Sequence, residues 1–228
     1  MSTGGTGALA RFELDHLVVA ATSLAAGREW CEATFGVLPQ TGGKHPSMAT
    51  HNLLLSLASP RFPRAYLEII AIDPEASAPS RRRWYDLDDP ALQAAIAGGP
   101  SLVHWVVRAA DIDAEAGSLR RLGHDVGAII VAERQTARGR LRWRITVPAD
   151  GRRPAAGAVP LLISWCDEHP SSSLAASGVV IEAVTVGGID AALACELGAI
   201  AGELDAPPLV ATLGCLRGRL TMASPAAV

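Results

Sequence analysis

Two histidines stand at matching places in two apolar stretches, and histidine is the side chain best suited to move protons or bind metals near neutral pH. His16 follows Asp15 at the start of LDHLVVA, and His104 lies early in LVHWVVRA. If these stretches are strands, successive side chains point to opposite faces, so each imidazole faces away from the apolar residue that follows it. Each histidine then lies where a strand enters a core or a cavity.

Other polar residues lie close to further strand candidates. Glu68 lies within AYLEIIA, where an ionised carboxylate among apolar neighbours is costly unless it meets a cation or is protonated. His51 and Asn52 begin a strand in ATHNLLLSL, and His45 lies in the Gly-rich loop before it. Either of these two histidines could serve as an acid or base, or as an additional ligand.

The elements that must position these residues form an internal repeat. The passage LDHLVVAATSLAAGREWCEATFGV reads as a strand, a short turn and a helix that ends near Gly36. Residues 102–127 follow the same plan, with an acidic turn at Asp111 and Asp113 before an amphipathic helix. Two or three strand candidates follow each helix, and LRWRITV alternates apolar and polar residues as a half-buried strand does.

A third passage repeats the plan incompletely, with a helix over about residues 190–203 and two short strands around Val210 and Leu220. Its first strand carries no histidine. The sequence therefore predicts an α+β fold of tandem βαβββ units that form a curved mixed sheet cup, plus a partial third unit. The predicted divisions are a flexible N-terminal lead (1–10), a first unit (11–74), a linker with a short helix (75–100), a second unit (101–169) and the partial third unit (170–228).

Composition narrows the classes of function. The chain has 228 residues, 49% hydrophobic and 19% charged, and 20 basic against 23 acidic residues give a net charge of -3. This balance offers no electrostatic footprint for nucleic acid or an anionic membrane. No window reaches the roughly 18 apolar residues of a membrane span, and the four cysteines are scattered without a C-x-x-C pair. We expect reduced thiols and a cytoplasmic protein without nucleic-acid or membrane partners.

The repeated unit, with a histidine on its first strand and an acid on its last, resembles the vicinal oxygen chelate superfamily, which includes glyoxalase I, extradiol dioxygenases and bleomycin-resistance proteins. Within it, the chain is most similar to bacterial glyoxalase-like domain proteins. The resemblance runs from residue 12 to about 225, and its N-terminal motifs are more specific than its C-terminal one. The motifs that carry it are LDHLVVAATSL, GGKHPSMATHNLLLSL, YLEIIAIDP, RRRWYDLD and PLLISWCDEHP.

The resemblance implies that two units curl around one divalent metal, each giving a ligand from its first strand and another from its last. Carried over by position, the metal ligands are His16, Glu68 and His104. Imidazole nitrogen and carboxylate oxygen suit zinc, nickel, manganese or iron. The fourth position falls on Ser164, a poor ligand, and the next acid is Asp167.

The resemblance therefore implies a metal-dependent lyase or isomerase of the glyoxalase type, or a dioxygenase, acting on a small molecule that chelates through neighbouring oxygens. The metal would act as a Lewis acid. We take His51 and Glu68 as candidate catalytic residues. The candidate substrate-binding residues are His45, Asn52, Trp105 and Trp143.

Two other functions stay open at this point. Ser164 favours a metal-free module that binds or sequesters a small molecule, as drug-resistance members of the superfamily do, with the ligand stacked against tryptophans such as Trp84. Alternatively, the cup is filled by its own side chains and the domain is an interaction scaffold. The sequence leaves open whether the protein is a monomer or a homodimer.

Overall fold

Two units of similar plan follow one another along the chain. The computed structural model describes residues 11–136, 139–203 and 205–225, so the lead predicted over residues 1–10 lies outside the described residues. The first unit comprises β1 (Phe12–Ala20), α1 (Leu24–Phe35), β2 (Gln40–His45), β3 (Thr50–Ser56) and β4 (Tyr66–Ile72). The linker carries α2 (Pro90–Ala97), and the second unit comprises β5 (Ser101–Ala109), α3 (Ile112–Arg121), β6 (Ala128–Thr136), β7 (Gly139–Val147) and β8 (Leu161–Trp165).

Local signals in the sequence set the ends of these helices. The Ser23 side chain accepts a hydrogen bond from the Ala26 amide at the start of α1, and Gly36, with φ of 75°, ends it. Asp111 caps α3 through the Ala114 amide. In the part of the chain that the structure describes, none of the helices is long and apolar enough to cross a membrane.

The two units share one eight-stranded sheet, in the order β2-β3-β4-β1-β5-β8-β7-β6. The two first strands, β1 and β5, are antiparallel neighbours at its centre. Each first strand is also paired in parallel with the last strand of its own unit, β4 or β8. The sheet curls so far that its edge strands β2 and β6 come into contact. The predicted tandem βαβββ units and curved mixed sheet are confirmed.

The C-terminal passage forms a separate four-stranded sheet. Its elements are β9 (Val180–Val186), α4 (Ala191–Glu196), β10 (Ile200–Ala201), β11 (Leu209–Cys215) and β12 (Gly218–Ala223). The helix is shorter than the predicted 190–203, because Gly198 turns the chain with φ of 79° into β10. The element order repeats that of the first two units, but β9 is antiparallel to β11 and parallel to the short β10.

The curved sheet has a core on each face. On the outer face, α1, α3 and the small sheet pack against Leu and Val side chains that project from the large sheet towards them. On the inner face the linker lies across the cup, and its Trp84, Tyr85, Leu87, Leu92 and Ile96 are buried there. The predicted linker therefore fills much of the concave side rather than only joining the two units.

A β-bulge at Asp15 decides which face receives His16. The pairing of β1 with β5 shifts between Leu14 and His16, so Asp15 is an extra residue in the ladder. Leu14 and Leu17 both belong to the outer core, although they are three positions apart and a regular strand would place them on opposite faces. Because a regular strand alternates strictly, the bulge is what turns His16 to the inner face.

The close packing of α1 on β4 predicts how substitutions of helix glycines change stability. A Cβ on Gly27 would overlap Ile69 Cγ2, so we expect Gly27→Ala to lower the free energy of unfolding by about 1–3 kcal/mol through overpacking. In α3, a Cβ on Gly117 would meet only the end of Arg121 at 3.5 Å. We therefore expect Gly117→Ala to be neutral or to stabilise by up to about 1 kcal/mol, through helix propensity. Urea denaturation measures both, and equal stability of the two variants would contradict the packing.

Candidate functional site

A small cavity lies on the inner face of the sheet, about 20 Å³ in volume, which is room for about one water molecule. The structure brings five of the predicted site residues together in its wall: His16, His45, Asn52, Glu68 and Trp143. Aromatic side chains form much of the rest of the wall, and two of them, Trp84 and Tyr85, come from the linker. The cavity is therefore a polar cluster enclosed by aromatic rings.

His16 is held from one side so that its other nitrogen faces the cluster. Its Nδ1 lies 2.7 Å from Asp15 Oδ1, and its ring stacks on Tyr66 with centroids 4.7 Å apart. A carboxylate only accepts hydrogen bonds, so the proton on Nδ1 is assigned from this contact. Nε2 then lies 3.6 Å from Glu68 Oε2. A neutral His16 in this position presents a basic nitrogen to the cavity.

Asp15 is a buried anion with partners on both oxygens. Its side chain has no exposure, and Oδ2 accepts from Trp165 Nε1 and from His169 Nε2, each at 2.9 Å. Burial alone raises the pKa of this carboxyl, but the hydrogen bonds and charges of His16 and His169 outweigh it and hold the pKa well below its usual range. The sequence analysis missed this residue, although its position directly before His16, at the start of an apolar run, was a signal.

Glu68 is held by an amide rather than by a cation. Asn52 Nδ2 donates to Glu68 Oε1 at 2.5 Å. The amide orientation is fixed because Asn52 Oδ1 accepts from the Gly43 amide at 2.8 Å and from Arg134 at 3.0 Å. The Asn52 hydrogen bond therefore offsets part of the free-energy cost of burying Glu68. The positive charge of Arg134 lies on the other side of the Asn52 amide.

His45 is a neutral member of the same cluster. Its Nδ1 lies 3.0 Å from Thr50 Oγ1, and its Nε2 lies 3.3 Å from Asn52 Nδ2. The rings of Trp84 and Trp143 meet it edge on. Burial, followed by the charge of Arg134, lowers the pKa of His45 to about 3. This histidine shapes the cavity without carrying charge at ordinary pH.

His104 does not line the cavity, although it matches His16 in the repeat. Its Nε2 accepts a hydrogen bond from the Leu161 amide at 3.2 Å, and its Nδ1 is buried without a hydrogen-bond partner in the described chain. Burial lowers the pKa of His104 well below its usual value. Its ring packs beside Tyr85 instead.

The register of the sheet identifies the second unit's counterpart of Glu68. Two residues beyond each strand histidine lies a valine, Val18 in β1 and Val106 in β5. Val18 pairs with Glu68 across β1 and β4, and Val106 pairs with Leu161 across β5 and β8. The equivalent position is therefore Leu161, an apolar residue, rather than Ser164 as the sequence suggested.

Besides His104, two predicted site residues lie outside the cavity wall. His51 alternates with Asn52 along β3 and faces the opposite side, where its Nδ1 lies 3.9 Å from Asp73. Trp105 belongs to the outer core and donates from Nε1 to the backbone oxygens of Gly157 and Ala158. Both placements follow from strand alternation, whose phase the sequence alone did not fix.

The donor set present does not fit the metal site that the resemblance implies. Of the three implied ligands, His104 gives its Nε2 lone pair to a backbone amide, and the fourth position is Leu161. Within residues 11–136, 139–203 and 205–225, no group of three or more His, Cys, Asp or Glu side chains has a metal-binding arrangement. Asn52 also occupies the space between Glu68 and His45.

A second, larger cavity of about 440 Å³ lies beside the first. The two cavities share Leu54 and Arg134 in their walls, so Arg134 stands at the boundary between them. The larger cavity is bounded by β2, by the β6–β7 hairpin and by the segment after β8 that carries His169. It provides the space through which a ligand could approach the polar cluster.

Comparison with known proteins places the chain in a family. Residues 14–199 match the family described as Glyoxalase-like domain, and no curated protein shows a significant match. Among solved structures, a hypothetical protein from Staphylococcus aureus has a TM-score of 0.56 and 15% identity, over 94% of this chain and 86% of that one. Methylmalonyl-CoA epimerase from Mycobacterium tuberculosis has a TM-score of 0.40 and 17% identity, over 71% of this chain and 92% of that one.

At this identity the Staphylococcus aureus structure shows the fold alone, and it does so across nearly the whole chain. The match to the family covers well over half of the sequence and includes both strand histidines and Glu68. The resemblance seen in the sequence motifs is therefore confirmed, and this protein belongs to the glyoxalase-like domain family.

Proposed function

We propose that this protein catalyses proton transfer on a small carbonyl compound, as an isomerase or lyase, with His16 and Glu68 as the acid–base pair. The single observation that carries the proposal is the orientation of His16: Asp15 holds Nδ1 at 2.7 Å, and Nε2 lies 3.6 Å from Glu68 Oε2. Two titratable groups on one side of a cavity, one of them fixed by a buried carboxylate, are what general acid–base catalysis requires.

The chemistry follows from these contacts. The lone pair on His16 Nε2 removes a proton from the carbon next to the substrate carbonyl, and the electrons move to the carbonyl oxygen to give an enolate. The buried Trp84 Nε1, which has no hydrogen-bond partner among the described residues, is a donor available to that oxygen. His16 then returns this proton to carbon, either directly from Nε2 or after passing it to Glu68 Oε2, which lies 3.6 Å away, and the carbon that receives it sets the product. No step uses a metal.

The cavity must open for this reaction, because about 20 Å³ does not hold a carbonyl compound. Leu54 and Arg134 separate it from the larger cavity. A shift of these side chains would join the two spaces. A ligand would then reach the polar cluster from the larger cavity.

A binding module without catalysis is the second candidate, and the aromatic wall of the inner cavity favours it. Trp84 and Tyr85 of the linker are each 2% exposed and occupy much of the concave side. A binding protein needs only the aromatic walls and a polar anchor. Binding of a carbonyl compound without any proton exchange would identify this second function.

Deuterium exchange tests the acid–base pair without knowledge of the natural substrate. We expect the protein to speed exchange of carbon-bound protons for solvent deuterium in hydroxyacetone, dihydroxyacetone, pyruvate or 2-oxobutyrate, followed by proton NMR in deuterium oxide. His16→Gln and Glu68→Gln should each slow the catalysed exchange by about 10²–10⁴-fold. His51→Gln is the matched control, since His51 faces the opposite side of β3, and it should leave the rate unchanged.

Exchange that survives in His16→Gln, or that is lost in His51→Gln, would contradict the assignment. Thermal melts of each variant show whether it is folded. In folded variants, a lower rate reports on the reacting groups rather than on stability.

Asp15 is a positioning residue in this account, and Asp15→Asn tests it. An asparagine amide could donate to His16 Nδ1 and would favour the wrong tautomer, with the proton on Nε2. We expect the exchange rate to fall by about 10²–10⁴-fold. The pH dependence of the remaining rate should also change, a readout that a purely structural role of Asp15 would not move. An unaltered rate and pH profile in folded Asp15→Asn would exclude the positioning role.

Metal addition provides a separate test. Because the donor set does not fit the implied ligands, we expect zinc, nickel, manganese and ferrous iron each to leave the melting temperature of chelator-treated protein unchanged. Exchange activity should also survive the chelator. A rise in melting temperature that His16→Ala and Glu68→Ala both abolish would instead establish these residues as ligands and overturn the metal-independent mechanism.

A further inference from the structure

Arg134 is a buried cation at an inward-facing position of β6. It is 6% exposed, and it follows Ala132 in the alternation that points side chains into the cup. Burying a guanidinium is costly unless a negative charge or a full set of hydrogen bonds compensates it. Among the described residues, no carboxylate forms an ion pair with Arg134, and its Nε has no hydrogen-bond partner.

The contact that Arg134 does make fixes its place. NH1 donates to Asn52 Oδ1 at 3.0 Å, and Asn52 Nδ2 in turn donates to Glu68 Oε1. Gly42 of β2 leaves room for this contact: a Cβ there would overlap Asn52 Oδ1 and would lie 2.9 Å from Arg134 NH1. One side of the guanidinium therefore lies beside β2 and β3, and its Nε is left without a partner among the described residues.

The position of Arg134 connects the two cavities. Its side chain lies in the walls of both the larger cavity and the small polar one. Other charges near the larger cavity are already paired or exposed: Asp167 binds Arg142 through both carboxylate oxygens, and Arg140 lies on the surface beside Glu133. A ligand that enters from the larger cavity therefore meets one buried, incompletely paired cation before it reaches His16 and Glu68.

We propose that Arg134 binds a carboxylate on the ligand, so that the substrates of this site are small 2-oxo or 2-hydroxy carboxylic acids. The unpartnered Nε is a donor in the fork geometry that recognises carboxylates. With its carboxylate on Arg134 at the boundary of the cavities, a short acid extends the carbon that bears its oxo or hydroxyl group towards the polar cluster. This inference rests on the proposed function in one respect, namely that the inner cavity binds a ligand.

A simpler role for Arg134 is to balance the charge of Glu68 through Asn52. An arginine that did only this would not distinguish a carboxylate ligand from a neutral one of the same shape. Comparing each acid with its amide separates the two roles, since the pair differs in charge and hardly in size.

The experiment measures binding by quenching of tryptophan fluorescence, since Trp84, Trp143 and Trp165 line the inner cavity. The probes are acetate and acetamide, glycolate and glycolamide, and pyruvate and pyruvamide. We expect glycolate and pyruvate to bind about 10- to 100-fold more tightly than their amides, as one charged hydrogen-bonded contact implies. Arg134→Gln should remove this preference. Arg140→Gln, an exposed arginine in the wall of the larger cavity, is the matched control and should keep it.

Equal binding of acids and amides, no binding of any probe, or a preference that persists in Arg134→Gln would each overturn the inference. If Arg134→Gln does not fold, Arg134→Lys replaces it, because lysine keeps the charge but lacks the Nε donor and the planar fork. Carboxylate affinity should then fall about tenfold, and an unchanged affinity would overturn the inference.

The outcome is separable from that of the proposed function. Tight, Arg134-dependent binding of pyruvate without deuterium exchange would contradict proton transfer and leave the carboxylate site in place. Exchange into hydroxyacetone, with no preference for acids over amides, would support proton transfer and remove the carboxylate site.

Discussion

The hydrogen bond between Asp15 and His16 is the interaction on which the arrangement of the inner cavity depends. Asp15 exists as a buried anion because a β-bulge places it beside the imidazole and because Trp165 and His169 donate to its second oxygen. The same bulge turns His16 to the inner face, opposite to Leu14 and Leu17, which belong to the outer core. One extra residue in a strand thus sets both the direction of the histidine and the nitrogen that carries its proton.

A chain of polar contacts ties this cluster to the closure of the sheet. Glu68 on β4 is bound by Asn52 on β3, and Asn52 is bound by Arg134 on β6, at the far edge of the same sheet. Contact between the edge strands β2 and β6 is what allows this bond. The polar cluster is therefore assembled from both units, although its candidate acid and base come from the first. The second unit contributes residues of the cavity wall and the charge of Arg134, whereas its strand histidine, His104, accepts a hydrogen bond from a backbone amide.

Much of the fold was predictable from the sequence, because it depends on local patterns. The alternation in LRWRITV, the cap at Ser23 and the stop at Gly36 all have near-neighbour causes. The cluster was predictable in part: of the eight candidate site residues, the structure places His16, His45, Asn52, Glu68 and Trp143 in one cavity wall, and His51, His104 and Trp105 lie elsewhere. The face of a strand residue depends on bulges and on register, which are tertiary properties. The contact of Arg134 with Asn52 was not predictable, since it forms only when β6 meets β2.

The most direct test of the account is the proton position on His16, measured by nitrogen NMR of histidine-labelled protein at a pH where the imidazole is neutral. The His16 signal is assigned by its loss in His16→Gln. We expect a protonated Nδ1 bonded to Asp15 and an unprotonated Nε2 that faces Glu68. A proton on Nε2 would mean that the nitrogen in the cavity is a donor rather than a base, and it would contradict the proposed proton transfer.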